Sequence, residues 1–185
     1  MKTNENIVMY VLRLAGTLFL IAAVVAAALA GVNAITAPVI AELNAAATQE
    51  AISAVLPGGF DSEITDYADA SGIVSKVYQG EAGYALEVGP GGFDNTITMM
   101  VGVDNEGKVL GISIVNHTET AGLGAVADAD TPKGIAFREQ FDGTSGSVSV
   151  TKDGGTLDAI TGATITSRAI CVGVNAALDC VAGLG

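Results

Sequence analysis

Tryptophan is absent from this chain of 185 residues, aromatic side chains make up only 5% of it, and it holds one His, two Cys and four Pro. A core without large rings must be assembled mainly from Ala, Val, Ile and Leu, which dominate the 50% of the chain that is hydrophobic. With His117 the only imidazole and no Cys or carboxylates at ligand spacing around it, a metal site has nothing to build on. Asp128 and Asp130 lack the spacing of a calcium loop, and two Cys are too few for an iron–sulfur cluster. Cys171 and Cys180 lie nine residues apart, on opposite faces of a helix, so they cannot pair and read as small buried thiols. No Gly-x-Ser-x-Gly elbow and no Cys/His arrangement is present, which leaves hydrolytic mechanisms without a nucleophile. Basic residues are scarce too: 8 Lys and Arg against 20 Asp and Glu give a net charge of −12, which argues against nucleic acid as a partner.

Charge is also missing locally. Lys2, Glu5 and Arg13 sum to +1, which leaves −13 for the rest, and Leu14 to Ala41 holds no charged residue. A run of that length satisfies the ~20 residues needed to cross a bilayer as a helix. The basic flank lies on its N-terminal side and Glu42 and Glu50 follow it, so the positive-inside rule places the N-terminus in the cytoplasm and the acidic remainder outside. Ala28-Leu29-Ala30 offers a signal-peptidase site as the rival reading. The uncharged run continues past it through Val32, Ile35 and Val39, and a retained anchor is expected. After Pro38, apolar residues at Val39, Ile40, Leu43, Ala47, Ala51 and Val55 predict an amphipathic helix ended by Pro57-Gly58-Gly59, serving either as a docking segment or as a plain domain helix.

From Asp61 to Val115 the pattern is strand-like. Ile73–Gln79 and Tyr84–Val88 predict one hairpin, and Thr96–Val103 and Lys108–Val115 a second, with Gly107 suited to positive φ in its turn. The glycine run at 89–92 has no following Lys-Ser/Thr and no βαβ frame, so it is not a phosphate loop. Lys133–Phe141 predicts a helix, Gly143–Gly146 a loop, and Ser147–Lys152 a strand with Val148 and Val150 facing the core. Ile170, Val174, Leu178 and Val181 mark the buried stripe of a final helix.

Directly before that helix stands Asp158-Ala159-Ile160-Thr161-Gly162-Ala163-Thr164-Ile165-Thr166-Ser167. Hydroxyls and small residues at a helix start have two readings: an N-cap, or an anion site made by the unpaired N–H groups and the positive end of the helix dipole. A second polar loop, Asn116 to Gly124, follows the second hairpin and ends in two glycines.

Asp-x-x-Thr-Gly-Ala-Thr resembles the flavinylation motif of the FMN-binding subunits of Rnf and Na+-translocating NADH:quinone reductase complexes, the Rnf G subunit in particular. The Glu119-Thr120-Ala121-Gly122-Leu123-Gly124 loop matches that family's Glu-Thr-Pro-Gly-Leu-Gly except that Ala121 stands for Pro, which removes a fixed φ from the turn. The resemblance implies an α+β fold: one transmembrane helix, then an extracytoplasmic FMN-binding domain of antiparallel sheet plus helices. The divisions are 1–37 for the cytoplasmic N-terminus and anchor, 38–58 for the connecting helix, and 59–185 for the domain. It implies FMN joined covalently through a phosphoester to Thr164 by a flavin transferase. Asp158, Thr161, Gly162 and Ala163 would shape the phosphate end, with N–H groups of Ile165 and Thr166 as donors. Glu119, Thr120, Gly122, Leu123 and Gly124 would lie against the ring, where a carboxylate disfavours the anionic reduced flavin. The implied function is an electron-carrier subunit of a membrane-bound, ion-translocating ferredoxin:NAD+ oxidoreductase, partnered by the other subunits and without turnover of its own. Alternatives are the C subunit of the Na+-translocating NADH:quinone reductase and a flavin-free anchored scaffold.

Overall fold

The structure, a computed structural model, describes residues 2–184, with side chains described from Met9 onward. The side chains of Lys2 and Glu5, which enter the orientation argument, therefore lie outside the described residues. The chain divides into two compact units, Met1–Ala46 and Ala47–Gly185.

The first unit is helical. Helix α1 spans Lys2–Val55, and the anchor and connecting segment run through Pro38 as one helix. Proline removes one N–H from the ladder, and a helix that is apolar on both sides of it continues with that one bond missing. Every large apolar side chain from Met9 to Leu43 is exposed, which puts the first half of the amphipathic stripe expected after Pro38, Val39, Ile40 and Leu43, in the exposed set. The Thr17 and Thr36 hydroxyls donate to the carbonyls of Leu14 and Val32, so both hydroxyl protons are paired within the helix. The stretch Met9–Val55 is long and apolar enough to cross a membrane, with a mean hydropathy of 2.5 over its most apolar window.

The second unit is organised by a five-stranded antiparallel meander: β1 (Ser62–Ile64), β2 (Val74–Gly80), β3 (Gly83–Val88), β4 (Thr98–Asp104) and β5 (Val109–Asn116), adjacent in sequence order. Both predicted hairpins form, with Gly80 opposite Gly83 and with Gly107 at φ +78° in the second turn. Alternation along β4 sends Met99, Val101 and Val103 to one face and Met100 to the other. On the first face lie helix α2 (Pro132–Glu139) and helix α3 (Thr164–Ala182), whose Ile170, Val174, Leu178 and Val181 are buried as the stripe predicts. Opposite, Ala51, Ile52, Val55 and Leu56 cover Tyr78, Ala85 and Met100. Gly102 makes that contact feasible, because a Cβ there would overlap the Val55 carbonyl.

Two short 3₁₀ turns complete the unit, Gly124–Ala127 and Thr151–Asp153. The strand expected over Ser147–Lys152 does not form. Val148 and Val150 are buried as predicted, but the Val148 backbone pairs with the side-chain amide of Asn175 on α3, at 2.8 and 2.9 Å, and only a single bridge joins Val150 to Leu157. The segment has its hydrogen bonds without a neighbouring strand.

Candidate cofactor site

Helix α3 starts without a side-chain cap. Its N-cap residue is Ala163, at φ −126° and ψ 44°, and Gly162 before it holds φ +82°. The Thr-Gly-Ala-Thr stretch is therefore not an N-cap motif: the Thr161 hydroxyl does not serve the helix, and Thr164 to Thr166 of the first turn line a cleft. That cleft, of about 270 Å³, is lined by Thr164, Ile165 and Thr166 of α3, Gly162 and Ala163 before it, Glu119, Thr120, Leu123 and Gly124, and Phe93 and Lys152.

The hydroxyls of the motif differ in what they do. Thr166 is buried and donates to Glu119 Oε2 at 2.5 Å. Ser167 is fully buried, donates to the Ala163 carbonyl and accepts from the Ile160 N–H. Thr164 is half-buried at the cleft, and its Oγ1 accepts from Lys152 Nζ at 3.2 Å, which leaves its own proton uncommitted.

Glu119 joins the walls. Its Oε1 accepts from the Phe93 N–H at 2.7 Å and the Asp94 N–H at 3.3 Å, while Oε2 holds Thr166. A Cβ at Gly124 would overlap both the Glu119 carboxylate and the Thr166 hydroxyl, and one at Gly92 would overlap Glu119 Oε1, so glycine at both positions lets the carboxylate in. Where Ala121 stands in place of Pro, the turn is closed by the Leu123 and Ala125 N–H groups donating to the Thr120 carbonyl, with Gly122 at φ +76°. His117 is half-buried at the edge of this loop. It accepts from the Glu119 N–H through Nδ1 and faces Asp128 at 3.7 Å, so it orders the loop rather than standing free in solvent. No metal-binding cluster exists among the described residues.

The predicted residues do not all converge. A second cleft, of about 490 Å³, takes Asp158, Thr161 and Gly122 together with Lys133, Phe137 and Gln140. The ridge between the clefts is Gly162 against Leu123, where a Cβ on the glycine would come within 2.9 Å of Leu123 Cδ2. Asp158 is exposed, and its backbone rather than its carboxylate is held, through paired bonds with the Gln140 amide.

Sequence reasoning misses Phe93 and Lys152. Phe93 follows the glycine run that fails as a phosphate loop, and Lys152 falls in the segment predicted as a strand. Phe93, Leu123 and Ile165 are among the few large apolar side chains exposed in this unit, and all three rim the same cleft. An uncapped helix start, one lysine and apolar walls fit a ligand that is anionic at one end and flat and apolar at the other.

Residues 92–179 match the FMN-binding domain family, a span that contains every residue lining the first cleft. The chain is 33% identical to the G subunit of the Na+-translocating ferredoxin:NAD+ oxidoreductase complex of Acetobacterium woodii, over 97% of each chain. The chain belongs to this G-subunit family. A second member, the G subunit of the ion-translocating oxidoreductase complex of Methanosarcina acetivorans, is 33% identical over 89% of this chain and 91% of its own. The G subunit of the proton-translocating ferredoxin:NAD+ oxidoreductase complex of Clostridium ljungdahlii is 40% identical over 52% of this chain and 51% of its own. The G-subunit relatives over nearly the full chain align with its N-terminal helix as well as its domain.

Proposed function

We propose that this chain is the FMN-carrying G subunit of an ion-translocating ferredoxin:NAD+ oxidoreductase, with the flavin esterified to Thr164. The observation that carries the reading is the state of the Thr164 hydroxyl: among the motif's hydroxyls on α3 it alone reaches the cleft with its proton free. Attachment requires a flavin phosphoanhydride donor and a transferase. The Thr164 oxygen bonds to phosphorus as the anhydride P–O bond breaks, the departing nucleotide takes the electron pair, and the hydroxyl proton passes to a base on the transferase.

Bound FMN supplies reversible one- and two-electron storage. The chain's residues supply position and field. The N–H groups of Ile165 and Thr166, at the positive end of α3, would hold the phosphoryl oxygens. Gly162 and Ala163 admit the phosphate end, and Phe93, Leu123 and Ile165 offer the ring apolar walls. Asp158 and Thr161 line the second cleft, apart from these walls. Glu119 places a carboxylate behind the cleft, which disfavours an anionic reduced flavin. The exposed apolar helix anchors the subunit in the membrane beside the other subunits, with the N-terminus cytoplasmic and the domain outside.

The test is intact and peptide mass spectrometry of the chain produced with an active flavin transferase, native beside Thr164→Val. FMN mass on the Thr164 peptide, lost in the variant, is the expected outcome. An unmodified native chain would make Thr164 an ordinary residue of the first helical turn and the protein an anchored scaffold.

A further inference from the structure

The unit from Ala47 onward carries six basic side chains against eighteen acidic ones. Four of the six are paired: Lys76 with Glu87, Lys108 with Glu106, Arg138 with Asp130, and Arg168 with Asp153. Among the described residues Lys133 and Lys152 have no carboxylate partner, and only Lys152 reaches a hydroxyl of the Thr-Gly-Ala-Thr motif. Its isolation has a cause. The adjacent Asp153 is taken by a two-pronged fork from Arg168, with Nε and a terminal nitrogen each 2.6 Å from a carboxylate oxygen. That fork fastens the Thr151–Asp153 turn to α3 and aims Lys152 at Thr164.

We propose that Lys152 is the counter-ion of the phosphoryl group carried on Thr164. The inference rests on the flavin reading above and adds to it a named charge partner. A phosphodiester keeps one negative charge at any physiological pH, and in a domain this acidic an unmatched anion is repelled from nearly every side. An ammonium already within hydrogen-bond reach of the ester oxygen answers that charge with little side-chain ordering left to be done. The contact contributes nothing comparable before loading, when its partner is a neutral hydroxyl exposed to water.

The difference between loaded and unloaded protein isolates the effect. The full chain in detergent, with an excess of transferase, is loaded as native protein, Lys152→Gln and Lys152→Arg. Mass spectrometry verifies one FMN per chain, and the gain in Tm on loading is measured at low salt and at about 1 M salt, where the Debye length falls to ~3 Å. Native protein and Lys152→Arg are expected to gain at least ~2 °C more than Lys152→Gln at low salt, with the gap closing at high salt. Equal gains for native protein and Lys152→Gln at low salt would overturn the proposal while leaving flavinylation standing. A native chain that carries no FMN at Thr164 would remove the flavin reading and this inference together. Because Lys152 is exposed, the unloaded variants are expected to melt with the native chain, and Lys152→Met supplies the charge-free comparison if Lys152→Gln does not fold.

Discussion

At the scale of single residues, Glu119 does two jobs with one carboxylate. It is 8% exposed and accepts from two backbone N–H groups and one hydroxyl, so its removal would orphan donors in a confined space. Glu119→Gln sets an amide donor against one of those donors. We expect it to lower stability by ~1–3 kcal/mol in chemical denaturation and to raise the flavin midpoint potential in the loaded protein. A potential unchanged by the substitution would confine Glu119 to holding the walls. Cys171 offers a pH test. Burial first, and Asp153 second, push its thiol up from 9.0 to about 11. The folded chain thus holds this proton more tightly than the unfolded one, and the stability so contributed is full below about pH 9 and lost as pH rises to about 11. Urea unfolding across that window should fall more steeply for the native chain than for Cys171→Ala, and Cys171 should resist alkylation at pH 8. Both residues are visible in the sequence, but their surroundings are not. The family resemblance sets Glu119 against a flavin, yet nothing in its neighbours announces bonds to residues 25, 26 and 47 positions away.

Among elements, periodicity is informative wherever a segment pairs with its own kind. The two hairpins and the stripe on α3 are written in alternation and in three- and four-residue steps, and they form where the pattern places them. The segment 147–152 alternates just as well, yet its partner is the Asn175 side chain, a choice that local pattern cannot express. Lys152 is hidden for that reason: its role depends on a turn that ends a strand-like run and on the Arg168 fork. Cutting the fork is therefore informative. Arg168→Ala would leave Asp153 free to draw Lys152 away from Thr164, and we expect the salt-sensitive part of the Tm gain on loading to shrink as it does in Lys152→Gln. A full gain in Arg168→Ala would mean that Lys152 finds its position unaided.

For the molecule as a whole, the asymmetry of charge is the broadest signal. A helix without charge from Leu14 to Ala41 precedes a strongly acidic remainder, and the fold class follows from that contrast together with the two hairpins. Helix α1 runs on through Pro38 because proline's effect on an apolar helix depends on its surroundings more than on the residue itself. Orientation is open to direct measurement. Alkaline phosphatase fused after the last residue should be active in cells and a cytoplasmic fluorescent reporter at the same site dark; the reverse pattern would put the cofactor cleft on the inner side.

The shared carboxylate of Glu119 has a consequence for amide hydrogen exchange. The Phe93 and Asp94 amides lie in a loop, outside any strand ladder, where exchange is ordinarily fast. Because their acceptor is also fixed to the first turn of α3, releasing them requires an opening that reaches across 47 residues of chain. Two loops and a helix start then exchange as one cooperative unit, whose opening free energy reports how firmly the site is shaped before any cofactor arrives.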